Sequence, residues 1–107
     1  MNIPEKFELM GDTITVKFVN SLITEDDTVG QASYRMNEIR LQRNSDFTPR
    51  TAEQTRKTFL HELIHFILYK MKKPELNKDE DFVDVFANLL LQFEKTTKGE
   101  LNQKGEE

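Results

Sequence analysis

The sequence predicts an α+β domain in which three or four antiparallel strands come first and two packed helices follow. Residues 7–18 alternate apolar and polar side chains with the period of two that a half-buried strand imposes, residues 31–42 hold a second strand pair, and two later segments repeat apolar residues at helical spacing. Size is the third observation. At 107 residues the chain has room for one domain, assigned to residues 1–95, and it must bury its core without disulfides because it has no cysteine.

Phe7 and Leu9 alternate with polar neighbours, Met10-Gly11-Asp12 supplies a turn, and Ile14, Val16 and Phe18 alternate with Thr13, Thr15 and Lys17. This predicts a hairpin. The acidic, irregular stretch from Asn20 to Gly30 reads as a loop with one short helical turn near Leu22-Ile23, placed to overhang a cleft. Gln31 to Tyr34 and Glu38 to Gln42 form a second strand pair with Ile39 and Leu41 on one side, and Asn44 to Thr48 connects onward.

A helix is predicted from about Pro49 to Met71, a segment with no glycine and no further proline. It has two candidate starts: Thr48 as N-cap with Pro49 at the first helical position, or a capping box from Thr51 to Gln54. Leu60, Ile64, Ile67 and Met71 make its apolar stripe. The connection through Pro74 is short enough to turn the chain back. A second helix then starts with Asn77 as cap and acids in its first turn, where the helix dipole favours negative charge. Its continuous stripe of Phe82, Val85, Phe86, Leu89, Leu90 and Phe93 is expected to pack, with Glu80, Asp84, Ala87 and Leu91 on the flank. Residues 96–107 are polar and are expected to fray.

The first helix carries His61-Glu62-Leu63-Ile64-His65, which holds the only two histidines of the chain. Residues four apart share a helix face, so both imidazoles can reach one Zn²⁺, and Glu62 stands beside them as a general base for a water on the metal. Metal sites of this kind usually take three protein ligands. With no cysteine and no third histidine, the third must be a carboxylate. Glu80 is favoured because its longer side chain reaches across a helix interface. Asp84, one turn later, is then placed to accept the free N–H of a zinc-bound histidine. The reverse assignment, Asp84 as ligand, stays open.

The run Thr58-Phe59-Leu60-His61-Glu62-Leu63-Ile64-His65, followed by Glu80 to Leu91, resembles the small gluzincin metallopeptidases of the ImmA/IrrE type found in phages and mobile elements. Matching Phe86-Ala87 and Leu90-Leu91 to that family's tail puts its glutamate ligand on Glu80, whereas sliding the match to Ala87-Asn88 puts it on Asp84. The Glu80/Asp84 spacing is also similar to that of thermolysin. The resemblance implies a minimal zincin fold, one Zn²⁺ per chain, and peptide-bond hydrolysis of a protein or peptide substrate, repressor-like proteins among them. It further implies that the substrate pairs with an edge strand, for which Gln31 to Tyr34 is the candidate, and Tyr34 is a candidate hydrogen-bond donor to the oxyanion. A non-proteolytic zinc-binding interaction module is the alternative.

A net charge of −4 offers no global attraction to nucleic acid, so none is expected as partner. The polar start, Met1 to Glu8, and the lack of a long apolar run point away from secretion and membranes, and with the missing cysteines they lead us to expect a cytoplasmic protein.

Overall fold

A computed structural model of the chain describes residues 2–102. Its elements are β1 (Lys6–Leu9), β2 (Asp12–Val19), α1 (Leu22–Asp26), β3 (Gly30–Ser33), β4 (Glu38–Gln42), α2 (Ala52–Lys70), α3 (Pro74–Lys78) and α4 (Glu80–Thr96). The α+β class holds, with four strands in one sheet of order β1-β2-β4-β3. Met10 and Gly11 both take positive φ, 49° and 86°, as a two-residue type I′ hairpin between β1 and β2 requires. The last five residues of the expected polar tail, 103–107, lie outside the described residues.

The sheet is mixed, and here the expectation of purely antiparallel pairing is corrected. β1 and β3 run antiparallel to their partners, but β2 and β4 pair in parallel, Ile14's strand beside that of Ile39. The connection explains it. After β2 the chain turns through α1, skips one strand's width, lays β3 at the edge, and returns through the Tyr34–Asn37 turn so that β4 fills the gap. A strand entering that slot runs the same way as β2. Gln42, buried at the end of β4, holds both flanking loops: its amide accepts from Ile23 N (2.9 Å) and donates to Asn20 O (2.9 Å) and Thr48 Oγ1 (3.1 Å).

α2 starts at the capping box. Thr51 Oγ1 accepts from Gln54 N (3.0 Å) and Gln54 Oε1 accepts from Thr51 N (2.9 Å), satisfying two otherwise orphaned donors. α2 lies on β3 and β4 and carries α4 on its other side. Burial therefore spreads around it, reaching Phe59, Leu60, Ile64, Phe66 and Leu68, whereas Ile67 and Met71 of the expected stripe are exposed. α4 departs further from expectation. Its cap is Asp79, whose carboxylate accepts from Phe82 N (3.0 Å), and Asn77 belongs instead to the short intervening α3. The face α4 buries is Val83, Ala87 and Leu91, while Val85, Leu89 and Phe93 stay exposed around an outward groove of about 780 Å³. Packing follows the flank stripe because Ala87 permits close approach and because polar anchors fix the rotation at both ends. Arg56 grips Glu94 bidentately (2.9 and 2.7 Å) at one end, and two histidines meet Glu80 at the other. Among the described residues, no helix is long and apolar enough to cross a membrane.

Two contacts make local predictions. Gly30 opens β3 hard against α2, and a Cβ there would lie 2.4 Å from Thr58 Cγ2 and 3.1 Å from a Glu62 oxygen. Gly30→Ala should therefore cost about 1–3 kcal/mol of stability through overpacking. Adding Thr58→Ser, which deletes the clashing methyl, should recover much of the lost denaturation midpoint; no recovery would place the strain elsewhere. Glu38 is buried between Lys17 (2.9 Å) and Arg40 (2.7 Å), whose hydrogen bonds hold its carboxyl below the usual value. A depressed folded-state pKa stabilises above the unfolded value, and that stability is lost as pH falls through the folded one. Glu38→Gln should be less stable than the parent at neutral pH, and the gap should close as the pH is lowered below the usual carboxylate range, measured by urea denaturation across pH.

Candidate metal centre

Helical spacing on α2 brings the rings of His61 and His65 edge to face with centroids 4.9 Å apart. Glu80, the first residue of α4, reaches across so that one carboxylate oxygen lies 3.1 Å from His61 Nε2 and the other 3.2 Å from His65 Nε2. The far nitrogens face oxygens as well. His65 Nδ1 is 2.5 Å from Asn77 Oδ1, and His61 Nδ1 is 3.6 Å from Asp84 Oδ1. The Asn77 amide is oriented by its other end, since Nδ2 donates to the Tyr34 hydroxyl (3.0 Å). His65 Nδ1 then donates to Asn77 Oδ1, which leaves its Nε2 lone pair toward Glu80, whereas Asp84 faces His61 Nδ1 from beyond hydrogen-bond distance.

Two imidazoles and a carboxylate converge, their ligand atoms all within 4.8 Å of one another. Two imidazoles and one carboxylate meeting this closely form a donor set that a cation completes. Neutral imidazole nitrogens with one carboxylate suit Zn²⁺ and comparable borderline metals. The residues present therefore fit a metal. Glu80 is two-thirds exposed at its side chain, against 20% and 12% for the histidines, so the cluster opens to solvent on the α4 side. The structure brings Glu80 into this cluster; Asp84 stands outside it, near His61 Nδ1 and 3.6 Å from Lys57 Nζ.

Glu62 sits between the two histidines in sequence and is buried, yet accepts no hydrogen bond among the described residues. Burial raises its pKa above the ordinary carboxyl value; His61 and His65 pull the other way, and Glu80 adds to the rise. It borders a cleft of about 400 Å³ between α2 and the start of β3. Tyr34 lies just beyond β3, with its ring stacked on Tyr69 (4.2 Å) and edge-on to Phe66 (5.1 Å). Its hydroxyl accepts from Asn77 and donates to the His65 carbonyl (3.5 Å), and burial raises its pKa. In this arrangement the phenol supports His65 through Asn77, and donation to an oxyanion would require it to leave that cycle. Sequence reasoning placed Asn77 as a helix cap and missed its contact with His65. Only the extra turn of α3, invisible as periodicity, carries it there.

A model of the SprT-like family matches residues 5–99, which takes in every strand and helix of the structure. The chain belongs to the SprT-like family. SprT-like domains are zinc-associated and metallopeptidase-like, in keeping with the His61, His65 and Glu80 cluster. No curated protein and no solved structure matches the chain.

This geometry orders the effects of substitution on zinc. Glu80→Ala should weaken zinc more than Asp84→Ala, measured by competition with a chelator at fixed pH. Asn77→Ala, which frees His65 to turn, should cost roughly ten- to a hundredfold in affinity. Asp84→Ala proving more damaging than Glu80→Ala would reverse the ligand assignment.

Proposed function

We propose that this SprT-like domain is a zinc-dependent peptidase in which Glu62 is the general base. The observation that carries this reading is a glutamate, buried over most of its side chain and bonded by no protein donor, that adjoins a cluster of three metal-ligand side chains and opens onto a cleft. A structural zinc module would use His61, His65 and Glu80 and have no need of Glu62 at the cleft beside them. Zn²⁺ held by those three side chains supplies a lowered pKa for the attacking water and polarisation of the scissile carbonyl.

The chain's own residues do the rest. Glu62 takes the water's proton onto its carboxylate and passes it to the leaving amine, and its raised pKa brings it nearer the operating pH, where such transfers are most effective. Asn77 keeps the His65 proton on Nδ1, so that its Nε2 presents a lone pair, and Asp84 faces His61 Nδ1 from 3.6 Å. β3 pairs only with β4, which leaves its other edge free beside α2, and an extended peptide can add there through main-chain hydrogen bonds. The substrate is thus a protein or peptide in extended form. The ImmA/IrrE resemblance of the helical half supports the same glutamate ligand layout and favours a protein substrate.

Glu62→Gln tests this. The amide keeps the shape and should leave zinc content near one equivalent per chain, while peptide hydrolysis falls by about 10²–10⁴-fold. Parent-like activity of Glu62→Gln on any substrate would remove Glu62 from the mechanism.

A further inference from the structure

The cleft that Glu62 borders is lined by Arg50, whose Nε is a buried polar atom without a hydrogen-bond partner. Arg50, the residue before the N-cap of α2, lines it together with Lys57, Thr58 and His61 on one side and Gly30 on the other. Its Nη2 donates to Gln54 O (3.3 Å) and Thr58 Oγ1 (2.8 Å), both neutral acceptors. Its Nε is buried and unbonded, no acceptor meets Nη1, and no carboxylate pairs with the guanidinium among the described residues. The other charges of the cleft have partners: Lys57 faces Asp84, Asp84 faces His61, and Glu62 lies against the histidines. Arg50 is left with charge and unused donors.

A guanidinium presents five N–H groups in a rigid fork that matches a carboxylate, and two-point contact there is stronger than any neutral hydrogen bond. Thr58 and Gln54 hold the fork in place, so little side-chain entropy remains to be lost on binding. Burial also lowers the pKa of Arg50, the mark of a cation held without an anion. The wall opposite is Thr28 to Gly30, where β3 begins, so a peptide lying along β3 passes the mouth of this cleft.

We infer that the cleft is a substrate subsite in which Arg50 receives a carboxylate of the bound peptide, next to the bond presented to Glu62. This rests on the peptidase reading above and adds a substrate class to it: peptides with a carboxylate at one set position. Two sources share that chemistry, an Asp or Glu side chain within the peptide and the carboxylate of its C-terminus. Arg50 is thereby a specificity-determining residue.

The probes are fluorescein-labelled alanine-rich hexapeptides that carry a single Glu, Gln or Lys at each position in turn, each made with a free or an amidated C-terminus. Binding to the zinc-loaded, full-length Glu62→Gln protein is read by anisotropy, and cleavage by the parent is followed separately. At one position Glu should bind about tenfold tighter than Gln, with Lys weakest. Adding Arg50→Gln should erase the difference while leaving the Gln peptide's Kd unchanged, and Arg50→Lys should keep part of it. Dependence on the free C-terminus in place of Glu would identify the terminal carboxylate as the occupant. Equal binding of Glu and Gln peptides with either terminus would overturn the inference, as would equal weakening of both by Arg50→Gln. The peptide series needs no Arg50 variant, so misfolding of one cannot rescue the idea. Arg50-dependent binding without cleavage by the parent would retain the subsite and sink the peptidase reading; cleavage without carboxylate preference would do the reverse.

Discussion

Glu80 spans from the first turn of α4 to two imidazoles on α2, and much of the architecture is arranged around that reach. For one carboxylate to lie near both Nε2 atoms, α4 must present the stripe of Glu80, Val83, Ala87 and Leu91 to α2, whatever its other faces contain. Burying Val83, Ala87 and Leu91 aligns with this demand, and the Arg56–Glu94 pair repeats it at the far end. The cost is visible on the outside. Val85, Leu89 and Phe93, the strongest apolar stripe of the helix, remain in solvent. Polar geometry, rather than maximal apolar burial, sets the rotation of α4.

That outcome explains where the sequence was legible and where it was not. Strand positions, the Met10-Gly11 turn and the α2 capping box follow from local chemistry, because period-two alternation, positive φ and orphaned N–H groups are properties of a few neighbouring residues. The parallel pairing of β2 with β4 does not, since it depends on which slot a returning strand fills. The rotation of α4 was misread for the same kind of reason: the apolar stripe is local, and the competing pull of Glu80 and Glu94 comes from α2. The His61, Glu62 and His65 triplet was legible because its chemistry is written in one helical turn. Asn77 was not, because its role exists only once α3 brings it beside His65 and Tyr34.

The histidines show how support is layered. Each Nδ1 faces an oxygen from a different element, Asn77 on α3 and Asp84 on α4, so the short α3 and the long α4 both bear on the orientation of rings that α2 supplies. Tyr34, beyond the end of β3, closes the cycle on Asn77 and ties the sheet into it. Sheet and helices thus meet at the metal-ligand side chains, and metal binding selects a geometry in which all of them must already be folded. A cation that binds only this form stabilises the whole domain by mass action, in proportion to the logarithm of its concentration over Kd.

Among the described residues, buried side-chain polar atoms elsewhere are satisfied. Gln42 makes four hydrogen bonds and Glu38 has two cationic partners, as a packed interior demands. Arg50 Nε breaks that rule, and Arg50 borders, together with Glu62, a cleft between β3 and α2. An unpartnered buried donor is a local cost to stability. Arg50 and Glu62 are of opposite charge and held apart by different anchors: Arg50 by Gln54 and Thr58, Glu62 by the helix that carries the histidines. They do not neutralise one another, although both sit in the same 400 Å³. A fold that places a guanidinium with unused donors and a carboxylate on one cleft leaves room there for something polar. An extended peptide, which brings an amide to cleave and a carboxylate to anchor, meets both needs at once.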